Sequence, residues 1–160
     1  HDAPILFRDI TEEILRFGHE DNVWLMGRSL GSISALEIAC QYSDKIKGLI
    51  IESGFPSITQ LIFHLGLPSG AVDLFTIYEE CIALVKKITT PTLIIHGEYD
   101  MLVPLREAED LYNNIGTVDK ELLIIPGADH NDIMFTGFDE YFGAIQRFIQ
   151  RTGAKLGERR

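Results

Sequence analysis

One serine stands between two glycines in a pattern that is typical of nucleophilic catalysis. Gly27, Ser29 and Gly31 form a Gly-x-Ser-x-Gly motif, which follows an apolar run and precedes a stretch with helical periodicity. Lifting a serine hydroxyl out of a sheet onto a helix start needs a sharp turn, so the motif predicts a strained nucleophile elbow. Glycines two positions before and after the serine are expected because a Cβ would not fit there. The first N–H groups of the following helix would then stabilise negative charge beside Ser29.

A serine nucleophile needs a base and an acid, and the sequence offers candidates for both. A neutral imidazole takes the hydroxyl proton, and a carboxylate fixes the imidazole tautomer and stabilises the imidazolium. In open parallel sheets such groups lie just beyond the carboxyl ends of the strands. Asp100 and His130 each follow a predicted strand closely, so we interpret Asp100 as the orienting acid and His130 as the base. Without them, the Ser29 motif would be an ordinary strand-to-helix turn.

Other carboxylates and histidines stay open as candidates. The weaker candidates for the acid are Glu98, Asp129 and Glu52. Asp129 adjoins His130 in the sequence, which makes a bond to the ring of that histidine awkward. His96 ends a predicted strand and is interpreted as a structural hydrogen-bonding group, while His64 is a minor candidate for the lining of a pocket.

Apolar runs and helical periodicity predict alternating strands and helices. The predicted strands are 23–26, 47–53, 92–96 and 121–125. The predicted helices are 4–17, one from the elbow to about 42, one from about 72, 104–115 and a last one from about 138. Continuously apolar strands are typical of a parallel sheet that is covered on both faces. The fold class is therefore α/β, a mostly parallel sheet with helices on both faces, in one domain over 1–160 with 54–87 as a short cap or connecting segment.

The composition limits the classes of partner. The 160 residues are 46% hydrophobic and carry a formal net charge of −10 at pH 7, which argues against nucleic acid and anionic membranes as partners. No apolar run has the length of a transmembrane helix, so no integral membrane segment is predicted. Cys40 and Cys81 are interpreted as buried free thiols. The sequence contains no motif for a metal ion or a cofactor, and the chain is expected to be cytoplasmic.

Three segments resemble one known superfamily. They are Leu-Met-Gly-Arg-Ser-Leu-Gly at 25–31, Pro-Thr-Leu-Ile-Ile-His-Gly-Glu-Tyr-Asp-Met-Leu-Val-Pro at 91–104, and Pro-Gly-Ala-Asp-His-Asn-Asp-Ile at 126–133. Together they resemble the α/β-hydrolase superfamily, and most closely its prolyl-oligopeptidase-like and depalmitoylase-like branch. The resemblance implies that Ser29 is the nucleophile, with Asp100 as the acid and His130 as the base. It also implies that the Leu30 N–H is one donor of the oxyanion hole.

The resemblance is to part of a hydrolase domain. A complete member has more strands than the four predicted here, which match its C-terminal half, and the chain begins with His1 instead of Met. We therefore expect the N-terminal strands to be missing, and with them the second oxyanion donor and part of the acyl pocket. A dimer or the missing N-terminal half would complete the sheet, whose open edge is otherwise prone to aggregation. The isolated chain is expected to be poorly active.

The predicted function is hydrolysis of a carboxylic ester or thioester through a Ser-His-Asp triad and an acyl-enzyme. The substrate would be a small molecule or an acyl group, held by the apolar stretch 55–67 with Phe55 and Phe63 as contacts. Core packing is an equal interpretation of that stretch. Two alternatives stay open: a serine peptidase of the prolyl-oligopeptidase-like type, and a non-catalytic or incomplete hydrolase-fold binding module. The presence of serine, aspartate and histidine together argues against the binding module.

Overall fold

The computed structural model describes residues 23–66 and 73–154. Its strands are β1 (Trp24–Arg28), β2 (Gly48–Glu52), β3 (Thr92–Gly97) and β4 (Lys120–Ile125). Its helices are α1 (Gly31–Gln41), α2 (Ile58–His64), α3 (Leu74–Val85), α4 (Leu105–Asn114), α5 (Ile133–Thr136) and α6 (Phe138–Ala154). The helix predicted over 4–17 lies outside the described residues.

The four strands form one parallel sheet in the order β1-β2-β3-β4. Arg28 at the end of β1 is paired with Glu52 in β2, and Gly97 at the end of β3 is paired with Ile125 in β4. Because parallel strands end at the same edge of a sheet, the segments that follow these four residues meet there. The sheet confirms the predicted α/β class with parallel strands.

Hydrophobic side chains cover both faces of the sheet. Leu49, Ile51 and Ile94 pack in one cluster with α1, α3 and α4. Ile50 and Leu93 pack in the opposite cluster with α6. Neighbouring residues of a strand point to opposite faces, so a sheet covered on both faces needs apolar residues at consecutive positions. This requirement explains the continuous apolar runs, and the helices lie on both faces as predicted.

The structure contains two short helices that the hydrophobic pattern does not predict. α2 lies in the segment 54–87, in which the predicted helix starts only at about residue 72, and it begins where the Ser57 side chain accepts the N–H of Thr59 at 3.3 Å. α5 has only four residues. Helical periodicity is recognised over windows of about 11–18 residues, so helices of this length leave no clear signal.

The segment 54–87 is partly a layer of the domain. Val85, at the end of α3, is fully buried in the cluster that also contains residues of α1 and α4. α3 therefore covers one face of the sheet and is a connecting helix. That the first part of the segment forms a cap over Ser29 stays a prediction.

Three further features of the described residues bear on possible partners. Cys40 and Cys81 are free thiols as predicted, although each is half-buried and not fully buried. Within 23–66 and 73–154, no helix combines the length and the apolar character that crossing a bilayer requires. In the same ranges, no three His, Cys, Asp or Glu side chains are grouped so that they could hold a metal ion.

Candidate active site

Ser29 follows β1 directly and lies in a sharp turn before α1. Its φ is 51°, in the left-handed region, where a non-glycine residue stores about 1–3 kcal/mol of strain. The turn is held on both sides, because the Ser29 N–H donates to the Glu52 carbonyl oxygen at 2.9 Å. On the other side, the hydroxyl and the N–H of Ser32 donate to the Ser29 carbonyl oxygen at 2.6 and 2.9 Å. The strained turn that the Gly-x-Ser-x-Gly motif predicts is therefore present.

The two glycines of the motif differ in the space around them. A Cβ on Gly27 would lie 2.6 Å from the Cβ of Ala35 and 2.7 Å from the Gly31 carbonyl oxygen, so glycine lets α1 pack closely on β1. A Cβ on Gly31 would meet no described atom within 4 Å. Gly31 is also not among the described glycines with a positive φ. The predicted steric need for glycine therefore holds at Gly27 and is wrong at Gly31.

The Leu30 N–H, which the resemblance assigns to the oxyanion hole, donates to no described residue. It precedes the first residue of α1, where the helix dipole favours negative charge. An oxyanion that forms beside Ser29 would find an unoccupied donor at this position.

Asp100 and His130 form a buried acid–base pair. Oδ2 of Asp100 lies 2.7 Å from Nδ1 of His130, and each residue is 4% exposed. Oδ1 of Asp100 accepts the N–H groups of Leu102 and Val103 at 3.0 and 2.7 Å, which fixes the rotation of the carboxylate. Because an ionised carboxylate only accepts, Nδ1 of the neutral imidazole carries the proton, and Nε2 keeps the lone pair that a base needs.

A second buried histidine, His96, lies beside the same carboxylate. Its Nε2 is 2.8 Å from the Val103 carbonyl oxygen and 3.6 Å from Oδ2 of Asp100, and its Nδ1 has no partner among the described residues. A carbonyl oxygen only accepts, so Nε2 carries the proton of the neutral ring. Burial lowers the pKa of His96 below its ordinary value, which keeps the ring neutral. His96 is thus the structural hydrogen-bonding group that the sequence predicts.

The loops after β3 and β4 are held together by hydrogen bonds to the backbone of the second loop. The Tyr99 N–H donates to the Ala128 carbonyl oxygen at 2.9 Å, and the Gly127 N–H donates to Oε2 of Glu98 at 2.9 Å. A Cβ on Gly97 would lie 2.6 Å from the Ala128 carbonyl oxygen. Glycine at this position therefore permits the close approach that brings the acid and the base together.

The other carboxylates considered as the acid have different partners. Glu98 accepts a backbone N–H of the loop after β4. Asp129 accepts the backbone N–H of His130. Glu52 accepts hydrogen bonds from an arginine in β1 and a tyrosine in α6. None of the three is hydrogen-bonded to the imidazole, so Asp100 is the carboxylate that the structure places on the His130 ring.

Arg28 contacts the loop of the predicted base, and sequence reasoning missed it. Its Nη2 donates to the His130 carbonyl oxygen at 2.6 Å and to Oδ1 of Asn131 at 3.4 Å. Its Nε donates to Oε1 of Glu52 at 2.9 Å, and the Tyr141 hydroxyl donates to Oε2 of Glu52 at 2.7 Å. The available signal was a basic residue directly before the serine, with an acidic residue at the end of the next strand.

Ser29, Asp100 and His130 all lie at the carboxyl edge of the sheet, yet only two of them are hydrogen-bonded to each other. No hydrogen bond joins Oγ of Ser29 to the His130 ring in the described structure. Catalytic hydrogen bonds are often long in the free enzyme and tighten when substrate binds. The missing hydrogen bond in this ligand-free structure is therefore compatible with His130 as the proposed base of Ser29.

The two predicted substrate contacts are placed differently. Phe55 is fully buried, so it packs in the interior and presents no surface to a substrate, in contrast to the prediction. Phe63, near the end of α2, is 78% exposed. Nε2 of His64 lies 3.2 Å from the Met101 carbonyl oxygen, which ties the end of α2 to the loop after β3.

One family model matches the part of the chain that contains the proposed acid and base. The family model described as serine aminopeptidase, S33, matches residues 66–136. The matched range contains Asp100 and His130 and ends before the last helix, while Ser29 lies outside it.

Two curated relatives match most of the chain. It is 29% identical over 156 residues to alpha/beta hydrolase domain-containing protein aho-3 of Caenorhabditis elegans, with 94% of this chain and 44% of the relative covered. It is 26% identical over 137 residues to alpha/beta hydrolase domain-containing protein 17B of Homo sapiens, with 85% and 44% covered. The chain thus spans less than half the length of these relatives.

A solved structure shares the fold. The monoacylglycerol lipase of Paleococcus ferrophilus has a TM-score of 0.68 at 17% identity, covering 91% of this chain and 74% of the lipase chain. At this identity the likeness shows the fold alone. The parallel sheet, the family model and the relatives together support the α/β-hydrolase superfamily that the sequence resembles.

Proposed function

We propose that this chain carries the nucleophile, base and acid of a serine hydrolase that cleaves a carboxylic ester or thioester. The observation that supports the proposal most is the buried Asp100–His130 pair, with 2.7 Å between Oδ2 and Nδ1. The pair leaves Nε2 of His130 without a described partner, at the sheet edge where the strained Ser29 turn also lies. This combination suits proton abstraction from a serine hydroxyl.

In the proposed mechanism, Nε2 of His130 accepts the Ser29 proton while Oγ forms a bond to the acyl carbon. The carbonyl electron pair moves to the oxygen, whose negative charge is stabilised by the Leu30 N–H. Collapse of this intermediate breaks the bond to the alcohol or thiol, which leaves with the proton from His130. Water then attacks the acyl-enzyme by the same route and releases the carboxylic acid, and Asp100 stabilises the imidazolium at each step.

Exposed apolar side chains support an acyl group as substrate. Leu30, next to Ser29, is 59% exposed, and Met101, in the loop after β3, is 77% exposed. The contact of His64 with the Met101 carbonyl brings exposed Phe63 beside the same loop. Apolar surface near a few polar groups is typical of a small-molecule site.

A serine peptidase is the second candidate. It is supported by the family model, whose description is serine aminopeptidase, S33. The same residues would serve, with an amine in place of an alcohol or thiol as the leaving group. Comparing a 4-nitrophenyl ester with an aminoacyl 4-nitroanilide distinguishes the two candidates through the ratio of kcat/KM values.

The chain spans 44% of the length of two relatives. Any residues beyond it could also contribute to the site, so the activity of the whole protein is proposed along with the roles of the described residues. Among the described residues, the Leu30 N–H is the one oxyanion donor we assign, and loss of one donor costs about 10²–10³ in rate. The outer edge of β1 pairs with no described strand. We propose that further strands, from a longer chain or from a dimer partner, complete the sheet there.

The proposal is tested by intact-protein mass spectrometry after treatment with a fluorophosphonate, which reacts with activated serines. We expect one adduct on the wild type and none on Ser29→Ala. Ser34→Ala, on the same helix, is the matched control and is expected to keep the adduct. Circular dichroism shows that each protein is folded. A folded wild type that takes no adduct, or an adduct that persists in Ser29→Ala, would contradict the proposal and favour the binding module.

A further inference from the structure

We infer that Arg28 is a positioning residue that holds the backbone of His130 in place, and that Glu52 and Tyr141 hold Arg28. The inference rests on the proposed function, since it assigns the means by which the proposed base is kept beside the elbow. None of these three side chains touches the reacting atoms in the mechanism above. Their effect is exerted through His130.

Arg28 joins the elbow to the base loop directly. It is the residue before Ser29, and its Nη2 lies 2.6 Å from the carbonyl oxygen of His130, which is 102 positions later in the chain. Its hydrogen bond to Oδ1 of Asn131, at 3.4 Å, reaches the same loop. A guanidinium is planar and always charged, with donors in a fixed fork, so one side chain can hold several acceptors at defined angles.

Glu52 orients the guanidinium from the neighbouring strand. Arg28 and Glu52 are paired in the register of β1 and β2, and Nε donates to Oε1 at 2.9 Å. Glu52 is 3% exposed, and a buried carboxylate is costly unless its oxygens are paired. The pairing therefore fixes Arg28 in the orientation that reaches His130.

Tyr141 occupies the second oxygen of Glu52. Its hydroxyl, which belongs to α6, donates to Oε2 at 2.7 Å. Both carboxylate oxygens of Glu52 are therefore hydrogen-bonded, and Arg28 binds Oε1. Burial, together with the hydrogen bond to Glu52, raises the pKa of Tyr141, which keeps the hydroxyl a donor. The chain of contacts Tyr141–Glu52–Arg28 thus ends on the His130 carbonyl.

His130 is then held at two points. Its ring is held by Asp100 through Nδ1, and its backbone is held by Arg28 through the carbonyl oxygen. With both points fixed, the direction of Nε2 of His130 relative to Ser29 is fixed as well. Misplacement of a reacting group by about 1 Å costs on the order of 100-fold in rate, so losing one point is expected to slow the reaction of Ser29.

The test compares Arg28→Met with Arg147→Met, the same change at an exposed arginine of α6. The readout is the second-order rate of fluorophosphonate labelling at Ser29, with the melting temperature as the measure of folding. We expect labelling of Arg28→Met to fall about 10- to 100-fold, with Arg147→Met at the wild-type rate. Arg28→Lys, which keeps the charge but loses the fork, is expected to recover part of the rate.

A double-mutant cycle separates positioning of the base from a merely structural role. If Arg28 acts through His130, adding Arg28→Met to His130→Ala leaves the labelling rate of the His130→Ala single variant unchanged. If the two losses multiply instead, or if Arg28→Met labels as fast as the wild type, the inference fails. Either failure leaves the proposed function standing, because that depends on labelling of the wild type itself.

The two residues behind Arg28 give a graded check. Glu52→Gln keeps the shape of the side chain without its charge, and Tyr141→Phe removes only the hydroxyl. We expect smaller labelling losses than for Arg28→Met, with Glu52→Gln the larger of the two. On an ester substrate, all three variants are expected to lower kcat with little change in KM. A rise in KM at constant kcat would place their effect on substrate binding and overturn the inference.

Discussion

The two oxygens of the Asp100 carboxylate have separate partners. Oδ1 accepts two backbone N–H groups of its own loop, and Oδ2 faces Nδ1 of His130. One side chain therefore stabilises the loop and selects the imidazole tautomer. A substitution that keeps the first contact and changes the second isolates the chemistry from the fold.

Asp100→Asn is such a substitution. The amide oxygen can still accept from the loop, but the amide nitrogen then faces His130 and favours the tautomer with the proton on Nε2. We expect kcat for an ester to fall by about 10⁴-fold with a melting temperature near that of the wild type. Asp100→Ala, which loses both contacts, is the control and is expected to lose stability too. Retention of more than a tenth of the rate by Asp100→Asn would contradict the assignment of the acid.

His96 makes stability depend on pH. Burial lowers its folded pKa below the unfolded value of 6.5, so the unfolded chain binds a proton that the folded chain does not. Stability is full above pH 6.5 and is lost as the pH falls from there towards the folded pKa. We expect the free energy of unfolding, measured with urea at pH 7 and pH 5, to fall more in the wild type than in His96→Gln.

Two comparisons make the His96 experiment specific. Burial raises the pKa of Glu107, so its contribution to the free energy of unfolding increases as the pH falls, opposite in sign to that of His96. Because Glu107 is present in both proteins, its contribution cancels in the difference between them. His64→Gln, at an exposed histidine, is the matched control and is expected to behave as the wild type. Equal losses in the wild type and His96→Gln would show that His96 is not responsible.

At the scale of elements, the approach of α1 to β1 depends on one glycine. A Cβ at position 27 would lie under 3 Å from two atoms of α1, the Cβ of Ala35 and the carbonyl oxygen of Gly31, while a Cβ at position 31 would meet open space. The motif places glycine at both positions, yet only the first is required by packing.

Gly27→Ala and Gly31→Ala are therefore a matched pair. We expect Gly27→Ala to lose about 1–3 kcal/mol of unfolding free energy, because overpacking forces the backbone to shift. Gly31→Ala, at the start of a helix, is expected to be neutral or to gain up to about 1 kcal/mol. Urea unfolding measures both. Similar losses in the two variants would mean that the helix start is strained in a way that the packing around Gly27 does not explain.

At the scale of the whole molecule, the sheet is stabilised by a layer on each face. α6 covers one face through Phe148, which is 1% exposed and belongs to the cluster with Ile50 and Leu93. A Cβ on Gly48 would lie 2.6 Å from the Phe148 ring, so the ring lies against the backbone of β2. α6 also carries Tyr141, which connects this layer to the site.

Phe148→Ala tests the contribution of this layer. We expect a loss of about 3–5 kcal/mol of unfolding free energy, a large share of the 5–15 kcal/mol that is typical of a domain. Phe138→Ala, at a position 59% exposed on the same helix, is the control and is expected to cost about 1 kcal/mol or less. Equal costs in a urea titration would show that α6 does not cover the sheet as described.

Within the described residues, the sequence by itself determined the strands, the longer helices and the residues of the proposed chemistry. Apolar runs located all four strands within a few residues, and the order of Ser29, Asp100 and His130 pointed to an acid–base pair that the structure contains. The strands, the longer helices and the strained turn at Ser29 are local features, because side-chain periodicity and backbone strain depend on neighbours in the chain. Short helices such as α2 escaped because they offer too few residues for a period.

Only the tertiary structure determined the contacts between residues that are distant in the sequence. It set the strand order, buried Phe55 in the interior, and showed that Gly31 has open space around it. It also brought Arg28 against the carbonyl of a residue 102 positions away. Such contacts depend on which loops the sheet places side by side, and no local pattern carries that information. The residue types indicated the chemistry, but packing determined which groups hold the catalytic candidates in place.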